Sequence, residues 1–341
     1  MRAVAKTGPG VGVEVIDTPE PETQPGSVKI KVHACGICGT DLKIYKGEYR
    51  PSGRDLTYPS FLGHEPSGVV TEVGEGVTRF KEGDRIFAEP RGPCGQCHYC
   101  HLGRFEFCEG LPRIGNFSSG AFAQYTVLPE VRVHPVPPDL GLDEASLMEP
   151  MGVGVRAIGV SRLKAGDTAL VVGPGPIGLL TALTARAAGA GPLLISGLGI
   201  DSPRLALARE LGFQTVDIDD ESLGDAVMEA TNGHGVDVVY ETAGVFEDTL
   251  PFIKLGGESV WIAGPVKAMS IEGLALVRTR GLTITASFRS TPLDVRRMYN
   301  LLSSGQVDLS RLITHRVPLE EVSRAFKMLE AREGVKIVLV P

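Results

Sequence analysis

Four cysteines, Cys94, Cys97, Cys100 and Cys108, are spaced C-x2-C-x2-C-x7-C, and no other short stretch constrains the fold as strongly. Four thiolates close a tetrahedral shell around one Zn²⁺ ion, with sulfur about 2.3 Å from the metal. A closed shell has no open position for a substrate, so we expect a structural zinc that holds a loop in shape. A disulfide-rich loop or a redox dithiol is the alternative, but closely spaced C-x2-C repeats strain disulfide geometry.

Length and charge limit the classes of protein to consider. A chain of 341 residues is longer than one core usually serves, so we expect two domains. The formal net charge is −7 and the basic residues form no run, which argues against a nucleic-acid partner. Residues 1–6 lack a long apolar core, so we expect no secretory signal. Metal binding in the cytoplasm then explains the cysteines better than disulfides do.

Residues 168–185 carry no charge, and a run of this length is close to the minimum for a membrane span. The sequence Gly173-Pro174-Gly175-Pro176 interrupts the run, however. A buried strand that turns into a buried helix explains the stretch better, so we expect no membrane partner.

Residues 1–150 show short strands separated by turns. Residues 28–34 alternate apolar and polar side chains, as a half-buried strand does, and residues 68–73 and 85–89 resemble them. Glycine-containing turn signals lie between these segments. We therefore expect a compact, barrel-like β domain that carries the four-cysteine loop.

After residue 150 the pattern changes to strands that alternate with helices. We expect strands at 169–172, 193–195, 236–241 and 259–263, with helices at 177–188, 204–211 and 221–232 between them. Such alternation predicts a parallel sheet with helices on both faces. Two further helices, at 292–303 and 319–332, precede a strand at 336–340, which we expect to return to the first domain. The predicted fold class is α/β plus β.

A glycine-rich turn follows the expected strand 169–172 and opens a helix. In Gly173-Pro-Gly175-Pro-Ile-Gly178 the first glycine permits the tight turn and the second lets the backbone approach a pyrophosphate. The third allows the helix to pack closely on the strand. The N–H groups at the start of the helix, around Pro176, favour phosphate. We therefore expect NAD or NADP at this turn, with an ordinary Gly/Pro turn as the alternative.

The choice between the two nucleotides stays open. An acidic residue about 20 positions after the turn would bond the ribose 2′-hydroxyl of NAD. The strand end at Ser196 carries no acid, Asp201 follows a few residues later, and Arg204 would suit a 2′-phosphate. Either charge is equally well explained as a solvated loop residue.

A second set of metal-binding residue types lies far apart in the chain. Cys38 is followed by Thr40 and Asp41, and Gly63-His64-Glu65 and Glu149-Pro150 come later. A thiolate, an imidazole and one or two carboxylates form the ligand set of an open zinc site. Taken singly, His64 is more often a structural histidine and Glu149 a helix or turn acid.

These motifs, in this order, resemble the zinc-containing medium-chain alcohol dehydrogenases, especially the polyol (sorbitol-like) and threonine dehydrogenase branch. The resemblance covers essentially the whole chain. It rests on Cys35-Gly-Ile-Cys38-Gly-Thr-Asp41, Gly-His64-Glu65, the four-cysteine loop, Glu149-Pro150, the glycine turn and Glu241-Thr-Ala-Gly244. It implies a GroES-like catalytic domain at 1–150 and 292–341, and a Rossmann domain at 151–291. It also implies a homo-oligomer, either a dimer or a tetramer.

The resemblance assigns roles to individual residues. Cys38 and His64 become ligands of a catalytic zinc, Glu65 and Glu149 become ligands that alternate with water, and Cys35 becomes a spectator thiol. Thr40 would relay the proton of the alcohol, although Lys43 and Tyr45 stand where relatives place a relay histidine. The cofactor residues implied are Ile177 against the nicotinamide, with Thr242, Gly264 and Phe288 lining the site. Two zinc ions per chain are therefore expected.

The implied reaction moves a hydride between a secondary alcohol and NAD(P). An alcohol has a pKa of roughly 16, and zinc as a Lewis acid can lower the pKa of a bound oxygen to about 7. A glutamate at 149 favours a polyol or sugar as substrate, or L-threonine as the alternative. Residues 113–125 are expected at the mouth of the substrate pocket. A zinc-stabilised interaction module and a zinc-free quinone reductase are further alternatives; the charges around the cysteine loop are too balanced for the first, and Cys38 and His64 argue against the second.

Overall fold

The computed structural model describes residues 1–49, 56–110, 119–264, 266 and 268–341. It contains two compact units, one formed by Met1–Glu149 with Leu309–Pro341 and the other by Pro150–Asp308. Domain limits at 150 and 292 stay a prediction, and the structure groups the helix Pro292–Ser303 with the second unit. Residues 113–118 of the expected pocket mouth lie outside the described residues.

Strands dominate the first part of the chain, and strands alternate with helices in the second. The strands are β1 (Arg2–Lys6), β2 (Glu14–Asp17), β3 (Ser27–Gly36), β4 (Ser60–Phe61), β5 (Glu65–Val73), β6 (Arg85–Ala88), β7 (Tyr125–Pro129), β8 (Val133–Pro135), β9 (Ala169–Val172), β10 (Leu193–Gly197), β11 (Gln214–Asp217), β12 (Val236–Glu241), β13 (Ile253–Trp261), β14 (Thr283–Ala286), β15 (Ile313–Pro318) and β16 (Lys336–Val340). The α-helices are α1 (Gly39–Tyr45), α2 (His98–His101), α3 (Leu142–Ala145), α4 (Met148–Val160), α5 (Pro176–Ala187), α6 (Ser202–Glu210), α7 (Leu223–Ala230), α8 (Phe246–Thr249), α9 (Ile271–Arg280), α10 (Pro292–Ser303) and α11 (Val322–Glu330).

The first unit is built on a largely antiparallel sheet. Its strand order is β15-β16-β3-β5-β6-β8, with β7 also paired to β3, and a smaller sheet has the order β2-β1-β4. In β3 the side chains of Val28, Ile30 and Val32 are buried while Lys31 and His33 are exposed, which is the period-two pattern of a half-buried strand. The strand β16 joins this sheet, as expected.

Two contacts fix the end of α1 on this unit. The ring of Tyr45 stacks on Phe326 of α11, with ring centroids 4.6 Å apart. Lys6 is 1% exposed, and its Nζ donates to the carbonyl oxygens of Gly12 and Tyr45 at 2.9 Å each. Because α1 begins directly after Cys38, these contacts also restrain the segment that carries this cysteine.

The second unit contains a parallel sheet with the order β11-β10-β9-β12-β13-β14. All four side chains of β9 are buried, as expected for a strand covered on both faces. The strand order reverses between β9 and β12, and ligands of such sheets bind at the carboxyl ends of the strands beside this reversal. The strand β13 begins at Ile253, earlier than the predicted start at 259. The prediction missed the first half of the strand because that half contains Lys254, Gly256 and Gly257 and lacks an apolar pattern.

The uncharged stretch 168–185 contains β9, the glycine turn and most of α5. Within the described ranges, we find no helix with the length and apolarity that a membrane span requires.

Candidate metal and cofactor sites

The antiparallel pairing of β3 and β5 brings the three predicted ligands together. Gly36, the last residue of β3, lies opposite Glu65, the first residue of β5. Cys38 follows β3 and His64 precedes β5, so both lie at the same end of this strand pair. The ligand atoms of Cys38, His64 and Glu65 all lie within 4.8 Å of one another. His64 is 1% exposed and Glu65 is 2% exposed, so the group is largely shielded from water.

Asp41 orients two members of this group. Its Oδ1 lies 3.4 Å from Nδ1 of His64, and its Oδ2 accepts the backbone N–H of Cys38 at 3.0 Å. Metal-binding histidines commonly use their second ring nitrogen to contact a carboxylate in this way, which points to Nε2 of His64 as the ligand atom. From the sequence, Asp41 is only one residue of the motif that begins at Cys35. Asp41 lies three residues after Cys38, at the start of a helix, and this spacing could have indicated that its carboxylate accepts the N–H of Cys38.

Lys336 is a second buried neighbour of the ligand group, and no sequence motif predicts it. This lysine is 2% exposed, and its Nζ makes an ion pair with Oε2 of Glu65. It also donates to the carbonyl oxygen of Ile37 at 2.9 Å. Burial lowers the pKa of Lys336, but the negative charges of Glu65, Cys38 and Glu149 outweigh burial and raise this pKa overall.

Two other predicted site residues, Thr40 and Glu149, lie outside the ligand cluster. The Oγ1 atom of Thr40 lies 3.9 Å from Sγ of Cys38. Glu149 is partly buried in the first turn of α4, and the ligand cluster found among the described residues does not include it. Its negative charge is among those that raise the pKa of Lys336. The roles of Thr40 and Glu149 stay predictions.

The chemistry of these three donors fits zinc. Cys38 offers a soft thiolate, His64 an imidazole and Glu65 a carboxylate, and their ligand atoms share one small volume. Three protein ligands with a fourth position for water or substrate define a catalytic zinc site. The first unit therefore contains residues suited to hold a reactive zinc ion.

The four-cysteine loop forms a separate group in the same unit. The sulfur atoms of Cys94, Cys97, Cys100 and Cys108 lie within 4.8 Å of one another, and none of the six cysteines forms a disulfide. The backbone N–H groups of Cys94 and Gly110 donate to Sγ of Cys108 at 3.3 and 3.4 Å. Backbone N–H groups of Cys100 and Glu109 lower the pKa of Cys97 to about 6. Such donors stabilise thiolates, the form that binds zinc.

His98 and His101 lie within this loop and are both exposed. Four sulfur atoms already complete a tetrahedral shell, so neither imidazole is needed as a ligand.

The glycine turn of the second unit has the backbone geometry of a phosphate site. Gly173 has φ +99°, a conformation that side chains rarely adopt. A Cβ atom on Gly178 would lie 1.9 Å from the carbonyl oxygen of Gly173, so the helix approaches the turn as closely as glycine permits. A Cβ atom on Gly175 would meet no atom within 4 Å, which leaves space beside the backbone at the start of α5. Pro176 is the first residue of that helix, and Ile177, partly buried, is the second.

Thr242 ties the end of β12 to this turn. Its Oγ1 donates to the carbonyl oxygen of Val172 at 2.6 Å and lies 3.2 Å from that of Gly173. Gly264 and Phe288 follow β13 and β14 and therefore lie at the same carboxyl edge of the parallel sheet. The ring of Phe288 is partly accessible, with 45% of the residue exposed.

Asp201 and Arg204 are buried, not solvated loop charges. They are 5% and 8% exposed, and Arg204 Nη1 lies 3.4 Å from Asp201 Oδ1. Ser196, at the end of β10, is also buried. Two further acids were not considered from the sequence: Asp217 is opposite Gly197 in the sheet, and Asp219 Oδ2 accepts the N–H of Gly199 at 2.8 Å. Carboxylates therefore surround the end of β10.

Comparison with known proteins identifies the family. Residues 24–138 match the Alcohol dehydrogenase GroES-like domain, and residues 176–304 match the family described as Zinc-binding dehydrogenase. Sorbitol dehydrogenase of Halalkalibacterium halodurans is 33% identical over 350 residues, which cover 100% of this chain and 99% of the relative. L-threonine 3-dehydrogenase of Bacillus velezensis is 34% identical over 346 residues, with the same coverage.

A solved structure shows the same fold. The crystal structure of a putative zinc-binding dehydrogenase from Sinorhizobium meliloti 1021, bound to NADP, superposes with a TM-score of 0.87. The two sequences are 33% identical, and the match covers 100% of this chain and 99% of the other. The predicted fold class, family and dehydrogenase activity are confirmed. The GroES-like and zinc-binding dehydrogenase matches, together with two groups of residues suited to zinc, show that the chain belongs to the zinc-containing medium-chain alcohol dehydrogenases.

Proposed function

We propose that the protein oxidises a secondary alcohol group of a polyol or sugar, using a zinc ion held by Cys38, His64 and Glu65. The observation that carries this proposal is the convergence of the three ligand atoms within 4.8 Å, with His64 and Glu65 buried and Cys38 partly buried. A zinc-stabilised interaction module would need the four-cysteine loop but not this second group.

The side chains around the site have distinct tasks in this mechanism. When bound, zinc supplies the Lewis acidity that lowers the pKa of an alcohol hydroxyl, and nicotinamide supplies the hydride acceptor. Asp41 holds the His64 ring through Nδ1 and the Cys38 backbone through its N–H. The proton of the alcohol passes to Oγ1 of Thr40 and from there to water. Tyr45 takes no part in this relay, since its ring is buried against Phe326.

NAD is the better nucleotide for the second unit. The phosphates would lie against the turn at Gly173 to Gly178, where space is open beside Gly175. At the end of β10, Arg204 is neutralised by Asp201, while Asp217 and Asp219 add negative charge. These carboxylates suit a ribose 2′-hydroxyl and repel a 2′-phosphate. The ratio of kcat/KM with NAD to kcat/KM with NADP measures this preference.

The substrate class is tested with a small panel of alcohols. Purified, zinc-loaded protein is assayed with sorbitol, glucose, galactitol and L-threonine, with both nucleotides. We expect the highest kcat/KM with a polyol or sugar. The highest value with L-threonine would instead support the second candidate, threonine 3-dehydrogenase activity, which the relative that is 34% identical favours. If no secondary alcohol is oxidised by protein that carries zinc, the proposal is wrong.

A cytoplasmic location and a homo-oligomer, dimer or tetramer, belong to the same proposal. Six cysteines without a disulfide are typical of a reducing compartment. Light scattering on the purified protein tests the oligomer, since the chain mass is 36.2 kDa.

A further inference from the structure

Lys336 and Glu65 form a buried ion pair at the candidate zinc site. Lys336 begins β16 and Glu65 begins β5, and each is only 2% exposed. Nζ of Lys336 contacts Oε2 of Glu65, and its second contact is the carbonyl oxygen of Ile37, at 2.9 Å. Removing two charges from water is costly unless each has a well-placed partner. The protein therefore keeps two charged side chains at a place where their burial is energetically costly.

The strand register builds space for the pair. Gly36 lies opposite Glu65 on one side and opposite Val338 on the other, two residues after Lys336. A Cβ atom on Gly36 would lie 2.1 Å from Oε2 of Glu65 and 2.6 Å from Cε of Lys336. Any larger residue at position 36 would therefore displace the two side chains. The absence of a side chain at Gly36 gives the lysine access to the carboxylate.

The carboxylate of Glu65 belongs to the group suited to zinc, so the lysine and the metal compete for it. A carboxylate that joins Cys38 in the shell would add a second negative charge, hold the metal more tightly and weaken its Lewis acidity. We propose that Lys336 is a positioning residue that shares the carboxylate of Glu65 with the zinc ion and weakens this ligand's hold on the metal, and so sets both the rate of zinc release and the activity of the site. This proposal rests on the proposed zinc site.

The direct test measures zinc release in the absence of substrate. Zinc-loaded wild type and Lys336→Met are mixed with a chromophoric chelator, and the zinc released is followed over time. Cys38→Ser lacks the catalytic site, so the release that is seen in wild type and absent from Cys38→Ser comes from that site. We expect release from Lys336→Met to be roughly tenfold slower, with a kcat lower by roughly 10- to 100-fold, the usual scale for residues that orient metal ligands. Unchanged or faster release would overturn the proposal.

Two sets of variants separate this role from a loss of stability. Lys29→Met removes another ion-paired lysine of the same unit, whose partners Glu20 and Glu72 lie outside the ligand group, and should leave zinc release unchanged. In a Glu65→Gln background, Lys336→Met should no longer slow release, because the effect requires the carboxylate. If Lys336→Met does not fold, Lys336→Gln serves as the second variant, since its amide can still donate to Ile37.

The outcomes distinguish this proposal from the proposed function. A rise confined to the KM for the nucleotide, with zinc release unchanged, would assign Lys336 to the cofactor and overturn the positioning role. Failure of all alcohols as substrates, with slower zinc release in Lys336→Met, would overturn the substrate proposal and leave the role of Lys336 standing.

Discussion

Asp41 Oδ1 and His64 Nδ1 lie 3.4 Å apart, and both side chains are almost fully buried. A carboxylate at this distance suits the role of orienting a histidine that binds a metal ion through its other ring nitrogen. The same carboxylate accepts the N–H of Cys38 at 3.0 Å, so one buried acid organises two ligands.

Asp41→Asn should therefore impair the site without removing any ligand. The amide keeps the shape of the side chain but loses the negative charge that orients His64. We expect zinc affinity or kcat to fall by roughly 10- to 100-fold, with an unchanged fold by circular dichroism. Asp139→Asn, at an exposed position, is the control. Wild-type affinity and kcat in Asp41→Asn would show that the contact has no functional role.

The sequence predicted some elements to the residue and missed others for physical reasons. The strands β9, β12 and β16 were predicted with the correct bounds because each is a short, almost continuous apolar run between turn signals. From the sequence, Lys336 is only the first residue of such a strand. Its partner, Glu65, comes much earlier in the chain, and no local pattern connects the two.

The ligand set was predictable only in part. The residues Cys38, His64 and Glu65 follow from donor chemistry and from the family resemblance, and the register of β3 and β5 explains why they meet. The burial of Asp201 and Arg204 was not predicted, because a charged loop sequence does not reveal that its two charges pair with each other.

Cys100→Ser should act on stability before it acts on chemistry. Loss of one thiolate opens the four-cysteine shell, and structural zinc contributes directly to folding free energy. We expect one zinc ion fewer per chain and a Tm lower by several degrees, since about 1 kcal/mol shifts the Tm of a domain of this size by about 2–4 °C. Differential scanning calorimetry with metal analysis measures both. A variant with unchanged Tm and zinc content would contradict the structural role of the loop.

Gly178→Ala should weaken nucleotide binding selectively. The new Cβ atom would lie 1.9 Å from the carbonyl oxygen of Gly173, so the turn has to move. We expect the KM for the nucleotide to rise roughly 10- to 100-fold, because small displacements of positioning groups have effects on this scale. Gly224→Ala, in α7 of the same unit, is the matched control, with its nearest contact at an ordinary 3.5 Å. An unaltered KM in Gly178→Ala would mean that phosphate does not bind at this turn.

Asp237 should stabilise the second unit in a pH-dependent way. Burial alone would raise its pKa, but hydrogen bonds from Lys254 and Thr168 outweigh burial and lower the pKa overall. The folded pKa thus lies below the unfolded value of about 3.9, so the stabilisation is complete above that value and is lost as pH falls through the folded pKa. Asp237→Asn should lose about 1–3 kcal/mol of unfolding free energy at pH 7. Urea unfolding at several pH values should show this deficit shrinking below about pH 4; a deficit independent of pH would contradict the assignment.

The zinc content of the purified protein and of Cys38→Ser shows whether the first unit holds a catalytic zinc ion in addition to the structural one. We expect two zinc ions per chain in the wild type, matching the two ligand groups. We expect one in Cys38→Ser, with the fold retained and alcohol oxidation abolished. Cys35→Ala, which removes a neighbouring buried thiol outside the ligand group, should keep both ions. A Cys38→Ser protein that retains two zinc ions and full turnover would show that Cys38 is not a ligand of a catalytic zinc ion.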